Sequence, residues 1–304
     1  METNNQSQHL VLGTVQFGLN YGINNFNGQP TFEDSISMLN FAFDHGIDTF
    51  DTAFAYGQAE EILGEFISRR HLTDKIKVIT KLKPNIISES AGEPYDIIAA
   101  NLEESLKRMR LDSVDGYLFH TPAYIKDEKL VDALLRLKSQ GLVKNIGVSI
   151  YNEDDAIYAA NLAQTDYIQI PYSIFDQRLD KTDFFVIAKK NKIKVFGRSA
   201  FLQGLFFMAD NKIPSHLENA KQYFKRLDEI IGRYGLTRTQ AALLFSYDNK
   251  NIDAVVFGVD NLAQLKEDFQ IINQKIDSEK CLAELRNNFS LIEDNIIFPS
   301  LWKK

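Results

Sequence analysis

Short apolar segments alternate with helix-forming segments along the whole chain, and this alternation limits the possible folds most strongly. The clearest unit is 46–64, where a strand ends at Asp51, a loop carries Tyr56, and an amphipathic helix begins near Ala59. Mostly apolar strands of this kind are typical of a parallel sheet that helices cover. We predict eight strands, at 10–15, 47–51, 77–81, 114–120, 145–149, 166–171, 193–198 and 254–257.

Eight alternating units favour an α/β fold of the (β/α)8 type, a TIM barrel, over an open doubly wound sheet. The GxGxxG fingerprint of dinucleotide-binding open sheets is missing, because Gly13, Gly18 and Gly22 have the wrong spacing. No shift in composition marks a domain boundary. We therefore predict a single domain over 1–304, with an additional helix and tail from about residue 278.

Composition restricts the possible partners and compartments. The net charge of −7 comes from interleaved acidic and basic residues, which argues against a nucleic-acid partner. Cys281 is the only cysteine, and the five histidines lack ligand spacing, so we predict no disulfide and no metal. Residues 1–8 lack the apolar core of a signal peptide, and no membrane-spanning run is present. These features predict a cytoplasmic protein without a membrane partner.

Four polar side chains follow three successive predicted strands. Asp51 ends the second strand and Tyr56 lies in the loop after it, while Lys81 ends the third strand and His120 ends the fourth. The carboxyl ends of barrel strands meet at one face, so we expect these side chains to form a proton-transfer site there. An ammonium lowers the pKa of a nearby phenol from about 10, while a carboxylate would hold that ammonium in place. Each residue alone is also compatible with a purely structural role; their combination favours catalysis.

The segments GIDTFDTAFAYGQAEEILGEFI, KVITK, VDGYLFH and NIGVSIYN, in this order, resemble the aldo-keto reductase family over about 12–272. The resemblance implies a barrel that binds a nicotinamide dinucleotide without a Rossmann domain. It also implies that Asp51, Tyr56, Lys81 and His120 form the catalytic tetrad. In such enzymes nicotinamide C4 gives a hydride to a carbonyl carbon, and the tyrosine donates a proton to the oxygen.

The same resemblance implies a site for the nicotinamide. Ser149 and Gln169 match family positions that hydrogen-bond its carboxamide. Ile150 stands where an asparagine is usual, and Asn152 is an open substitute for it. Arg198 matches a position that commonly holds a stacking aromatic, so its guanidinium would either stack on the nicotinamide or meet an anionic substrate.

Further implied contacts lie beside the pyrophosphate and at the adenosine end. The residues are Leu202, Gln203 and Gly204 beside the pyrophosphate, and Gly258, Gln264 and Asp268 at the adenosine end. Gly258, Val259 and Gln264 stand where the family often has lysine, serine and arginine. Asp260 would repel a 2′-phosphate. Members of the family more often use NADP(H), so we narrowly favour NADP(H) here and leave NAD(H) open.

The implied activity is NAD(P)H-dependent reduction of a small aldehyde or ketone, and the QFGLNYGI segment suggests a sugar-derived carbonyl. The unusual Ile150 and Arg198 keep open a dinucleotide-binding sensor or accessory barrel with little turnover. A third reading is a sugar isomerase or lyase that uses Lys81 and His120 without a dinucleotide. The sequence sets no oligomeric state.

Overall fold

A computed structural model of the protein, which describes residues 9–89 and 91–303, contains a closed barrel of parallel strands. Each strand pairs with the next along the chain, and the last pairs with the first. The strands are β1 (Leu10–Gly13), β2 (Thr49–Asp51), β3 (Lys77–Lys81), β4 (Val114–Phe119), β5 (Val143–Ser149), β6 (Tyr167–Pro171), β7 (Lys194–Arg198) and β8 (Ala254–Phe257). The predicted (β/α)8 barrel is confirmed. The prediction about residues 1–8 lies outside the described residues.

Helices follow the strands and surround the barrel. They are α1 (Val15–Gly18), α2 (Phe32–Asp44), α3 (Ala59–Arg70), α4 (Ile86–Glu89), α5 (Pro94–Met109), α6 (Glu128–Ser139), α7 (Glu153–Asn161), α8 (Phe184–Lys190), α9 (Ala220–Arg233), α10 (Arg238–Tyr247), α11 (Leu262–Asn273), α12 (Glu279–Asn288) and α13 (Asp294–Ile297). Shorter 3-10 helices are Pro122–Lys126, Arg178–Lys181, Leu202–Phe207, Asp210–Lys212, Ser215–Leu217 and Pro299–Leu301.

Local sequence signals set several helix ends. The Thr31 side chain accepts a hydrogen bond from the Asp34 amide at the start of α2, as its position predicts. Thr237 and Gln240 form a capping box at α10. The first strand was predicted too long, because it ends at Gly13 and the chain turns into α1.

Apolar side chains fill the barrel axis as well as the layer between sheet and helices. The axial cluster is Val11, Ile79, Leu118, Tyr167, Phe196, Ala254 and Val256. A filled interior leaves no channel through the barrel, so polar side chains that act together must lie at its rim.

The C-terminal segment reaches back to that rim. Helix α12 packs against α9 and α10. Beyond it, the Trp302 indole donates a hydrogen bond to the Asn295 carbonyl at 3.0 Å. This packing supports our proposal that the chain is one domain. In the described part of the chain, no helix combines the length and apolar character needed to cross a membrane.

Candidate active site

An ion pair between Asp51, at the end of β2, and Lys81, at the end of β3, forms the centre of the site. The Lys81 ammonium donates to both Asp51 oxygens, at 2.8 and 2.7 Å, and to the Thr52 carbonyl at 2.8 Å. Their side chains are only 1% and 6% exposed. An ammonium has three N–H donors, so this one is fully used within the pair and its neighbour.

Tyr56 and His120 lie beside this pair. Their rings meet edge to face with centroids 5.8 Å apart, and the Lys81 nitrogen lies 5.3 Å from the Tyr56 ring centroid. Strand β4 ends at Phe119, so His120 begins the loop beyond it. Its Nδ1 atom is buried without a hydrogen-bond partner among the described residues. The structure thus brings the four predicted catalytic residues together, and their catalytic roles stay predictions.

The electrostatics of Tyr56 differ from the sequence expectation. Burial raises the pKa of Tyr56 above the ordinary value, the Asp51 charge raises it further, and Arg198 opposes both effects. We expected Lys81 to lower this pKa. In the structure Lys81 is held by two hydrogen bonds to Asp51, whose charge acts on the phenol in the opposite direction. The cation that acts on the phenol is Arg198.

The other two titrating groups are also shifted by burial. Burial lowers the pKa of His120 to about 3, and the positive charges of Lys81 and Arg198 act in the same direction. Burial likewise lowers the pKa of Lys81, against the attraction of Asp51. At neutral pH the His120 ring is therefore uncharged, which suits it to hydrogen bonding rather than to supplying a proton.

Two glycines from separate segments fix the loop that carries Tyr56. A Cβ atom on Gly18, in α1, would lie 1.7 Å from the Tyr56 carbonyl oxygen. A Cβ atom on Gly57 would lie 2.2 Å from the Gly18 oxygen, and Gly57 has a φ of +54°. Only glycine fits at either position, because the two backbones touch there.

A cavity of about 830 Å³ opens at this rim, and Asp51, Tyr56 and His120 contribute to its wall. The predicted dinucleotide contacts that line it are Ser149, Arg198, Leu202, Gln203, Gly204, Gly258, Gln264 and Asp268. Lys81 and Gln169 are not part of the wall and lie behind Asp51. The Gln169 amide nitrogen donates to the Asp51 carboxylate, which leaves its buried oxygen without a hydrogen-bond partner among the described residues.

The residues after β5 and β7 form a connected group. The Arg198 guanidinium donates to the Ser149 hydroxyl at 3.3 Å and to the Ile150 carbonyl at 2.9 Å. Asn152 does not replace the usual asparagine, since its side chain accepts from the Asp155 amide and caps α7. The Ile150 side chain is buried and provides no polar group.

The cavity has features that fit a dinucleotide. Its volume is typical of cofactor sites. The buried side-chain oxygen of Gln16, which lines the cavity, lacks a hydrogen-bond partner among the described residues, so it can accept from a ligand amide. Gly258 keeps the wall open beside Gln16, where a Cβ atom would lie 2.5 Å from the Gln16 oxygen.

The segment after β8 gives the cavity an acidic wall. Asp260, Glu267 and Asp268 line it, and no lysine or arginine of 258–268 does so. Asp268 is 3% exposed, and burial, reinforced by Glu267, raises its pKa well above the ordinary value. The Gln264 oxygen accepts a hydrogen bond from the Asp260 amide at 2.7 Å. This wall offers no cation to a 2′-phosphate.

Several residues that line the cavity were not predicted as site residues from the sequence. Gln16 in α1, Tyr151 just after β5, and Phe298 and Trp302 in the tail all line the cavity. Tyr151 follows a strand end, so the rule that located His120 was sufficient to find it. The tail carried no such signal, because its place depends on how the last helices pack.

Comparison with known proteins identifies the family. The sequence model of the Aldo/keto reductase family matches residues 9–283. The chain is 26% identical to aldo-keto reductase YhdN of Bacillus subtilis (strain 168), covering 91% of this chain and 89% of that protein. It is 24% identical to L-glyceraldehyde 3-phosphate reductase of Escherichia coli (strain K12), covering 90% and 88%.

A solved structure supports the fold alone. A candidate aldo-keto reductase from Pseudomonas aeruginosa superposes with a TM-score of 0.64 at 20% identity, covering 87% of this chain and 88% of that chain. The family model spans β1 to β8 and the residues of the site described above, except the tail residues Phe298 and Trp302. The chain therefore belongs to the aldo/keto reductase family of oxidoreductases.

Proposed function

We propose that this protein reduces an aldehyde or ketone with NAD(P)H, and that Tyr56 donates the proton. The observation that carries the proposal is the meeting of Tyr56 and His120 with the buried Asp51–Lys81 pair at one cavity. A phenol that can donate a proton and a neutral imidazole that can hydrogen-bond the oxygen are groups suited to acid catalysis of carbonyl reduction.

Three residues of the chain have separate roles in the proposed reduction. The dinucleotide, when bound, supplies the hydride from nicotinamide C4. The raised pKa of Tyr56 keeps its phenol protonated, and therefore able to donate to a carbonyl oxygen, at neutral pH. The neutral ring of His120 orients that oxygen by a hydrogen bond. Arg198 stabilises the phenolate that remains, because its charge lowers the cost of losing the proton.

A sugar-derived carbonyl is the substrate class that we favour. The cavity is polar where Tyr56, His120 and Ser149 line it. Two relatives, both from Escherichia coli strains, are named L-glyceraldehyde 3-phosphate reductase. Hydroxyl-rich substrates need hydrogen-bonding partners beside the reacting carbonyl, and these side chains offer them.

For the dinucleotide we propose NADPH with only a narrow preference over NADH. The family favours the phosphorylated form. The wall formed by Asp260, Glu267 and Asp268 opposes a 2′-phosphate, since it brings carboxylates and no cation. These opposing influences predict weak discrimination.

Consumption of NADPH and NADH by the wild type and by Tyr56→Phe, on a panel of aldehydes, tests the proposal. Tyr158→Phe is the matched control, because Tyr158 is 41% exposed and lies outside the cavity wall. We expect loss of turnover only in Tyr56→Phe, with dinucleotide affinity retained. Undiminished turnover by that variant would remove Tyr56 from its proposed role.

One observation favours a second candidate, a dinucleotide-binding sensor with little turnover. The raised pKa of Tyr56 makes proton release costly unless a ligand compensates for it. Quenching of protein fluorescence by a dinucleotide, without turnover of any aldehyde, would favour this reading. A calorimetric titration that detects no dinucleotide binding would instead leave an isomerase or lyase.

A further inference from the structure

Arg198 is a cavity cation without an acidic partner. It lies at the end of β7 and is partly buried in the cavity wall. No carboxylate of the described residues lies within ion-pair distance of its guanidinium. Its hydrogen bonds go instead to uncharged oxygens, those of Ser149, Ile150 and Ser199, at 3.3, 2.9 and 3.2 Å.

The nearby acidic groups are already neutralised by other cations. Asp51 is paired with Lys81 at 2.7 Å, and Asp176, which also lines the cavity, is paired with Arg178 at 2.8 Å. The carboxylates of Asp260 and Asp268 lie on the wall that follows β8. The electrostatic influence of Arg198 is exerted on Tyr56, Lys81 and His120. Among the described residues at the reacting end of the cavity, Arg198 is therefore a cation that no ion pair neutralises.

The guanidinium is held so that part of its hydrogen-bonding capacity remains. A guanidinium has five N–H groups, and the bonds to Ser149, Ser199 and Ile150 use one each on Nε, Nη1 and Nη2. One N–H group on each terminal nitrogen is left. Two N–H groups are what two-pronged binding of a carboxylate or phosphate uses.

Tyr151 further restricts what the guanidinium can do. The Arg198 Cζ atom lies over the Tyr151 ring, 4.7 Å from its centroid, so this ring holds the guanidinium on one side. The two N–H groups that remain are the part of the guanidinium that can meet an anion.

We propose that the carbonyl substrate of this protein carries a carboxylate or phosphate group, and that Arg198 binds this anion while the carbonyl faces Tyr56. This inference rests on the proposed reduction and names its substrate class. The partly buried setting strengthens the attraction, because less water screens it than at the surface. The wall after β8 favours the same orientation, since no lysine or arginine of 258–268 lines it to attract an anion.

Two matched pairs of aldehydes test the inference. Succinic semialdehyde is compared with butanal, and glyceraldehyde 3-phosphate with glyceraldehyde. For the wild type we expect kcat/KM for one anionic member to exceed that of its neutral partner by about 30-fold or more, mainly through KM. The pair that shows the preference identifies the anion as carboxylate or phosphate.

Variants then assign the preference to Arg198. Arg198→Gln removes the positive charge and keeps a polar side chain. Arg198→Lys keeps the charge but lacks the paired N–H groups of the guanidinium. Lys194→Gln, an exposed charge removal on the same strand, is the control. We expect Arg198→Gln to lose the anion preference, so that kcat/KM for the anionic member falls to that of its neutral partner in the same variant, with Arg198→Lys intermediate. Loss of the charge beside Tyr56 lowers turnover of both members alike and leaves their ratio as the readout.

A binding measurement keeps the test independent of turnover. Trp302 is the only tryptophan and lines the cavity, so its fluorescence reports on ligands there. We expect 4-hydroxybutyrate or glycerol 3-phosphate to change this fluorescence in the wild type and Lys194→Gln but not in Arg198→Gln. Neither 1-butanol nor glycerol should do so. These titrations are made with and without NADP⁺.

The outcomes separate this inference from the proposed function. Turnover of neutral and anionic aldehydes at equal kcat/KM overturns the inference and leaves the function intact. An anion preference that survives in Arg198→Gln also overturns it, as does a loss confined to dinucleotide affinity. Absence of turnover with any aldehyde would refute the function, and the fluorescence titrations would then decide on the anion site.

Discussion

Lys81 donates hydrogen bonds to both carboxylate oxygens of Asp51 across neighbouring strands, and the pair is almost sealed from solvent. The two charges act differently on their neighbours, because Asp51 raises the pKa of Tyr56 and Lys81 lowers the pKa of His120. The guanidinium of Arg198, which lacks such a partner among the described residues, is the cation that lowers the pKa of the phenol. The hydrogen bonds of the pair hold the ends of β2 and β3 together.

Removing the ammonium of this pair should destabilise the protein strongly. Lys81→Met leaves the Asp51 carboxylate buried and unpaired, and we expect a loss of about 3–5 kcal/mol in the free energy of unfolding. Urea denaturation measures this loss. The double variant Asp51→Asn with Lys81→Met should cost less than the sum of the single changes, because neither charge is then left alone.

A surface pair on the same strand provides the control. Lys77 meets Asp48 at 3.0 Å with side chains 54% and 41% exposed, so Lys77→Met should cost less than about 1 kcal/mol. Equal losses for Lys77→Met and Lys81→Met would show that burial does not set the energy of the inner pair.

The proton donor should be separable from dinucleotide binding. Tyr56→Phe removes the hydroxyl and keeps the ring that packs on His120. We expect kcat to fall by about 100-fold or more, as is usual when a general acid is lost. Dinucleotide affinity, measured by fluorescence titration, should stay within about threefold of the wild type because the phenol acts only on the carbonyl oxygen. A parallel loss of affinity would contradict that division.

His120 should remain neutral through the physiological range. Its pKa is lowered to about 3, so we expect no protonation of this ring between about pH 5 and 8 in the folded protein. NMR of labelled histidine, with His120→Asn to assign the signal, measures the titration directly. A midpoint near the ordinary histidine value would show that the ring is hydrated rather than buried.

The same shift has a consequence for stability. Above the unfolded pKa of about 6.5 the ring is neutral in both states and contributes no pH dependence. As the pH falls from there towards 3, only the unfolded chain takes up the proton, so folding stability decreases. His120→Asn should therefore reduce the loss of stability on acidification, as urea denaturation at pH 7 and pH 5 would show. An unchanged loss would contradict the assignment.

Preference between the two dinucleotides should be weak and easily changed. We expect kcat/KM for NADPH and NADH to differ by less than about tenfold in the wild type. Gln264→Arg, which adds a cation to the acidic wall, should shift the ratio towards NADPH by about tenfold. Gln270→Arg, exposed on the same helix and outside the cavity wall, controls for charge alone. A similar shift in both variants would place the 2′-phosphate elsewhere.

Much of this arrangement could be read from the sequence because strand ends converge in a closed barrel. Asp51, Lys81 and His120 each end a strand or follow one directly, so their meeting was predictable from the order of segments. The direction of the pKa shift at Tyr56 was not. It depends first on how deeply the phenol is buried, and the order of segments does not reveal that burial.

Other details depended on contacts between distant segments. Gln169 lies behind Asp51 rather than in the cavity wall, and the tail residue Trp302 lies in that wall. Strand periodicity places each residue on a face of the sheet but says nothing about which neighbour its side chain reaches. Asn152 was left open for the same reason, and it caps a helix.

The contact between Gly18 and Gly57 has a consequence for how variants of this protein are interpreted. Neither residue carries a reactive group, yet an added methyl at either one would push aside the loop that holds Tyr56. A mutational scan scored on turnover alone would thus rank both with the proton donor itself. A bulkier residue at either position would require the two backbones to separate, and Tyr56 would move with its loop.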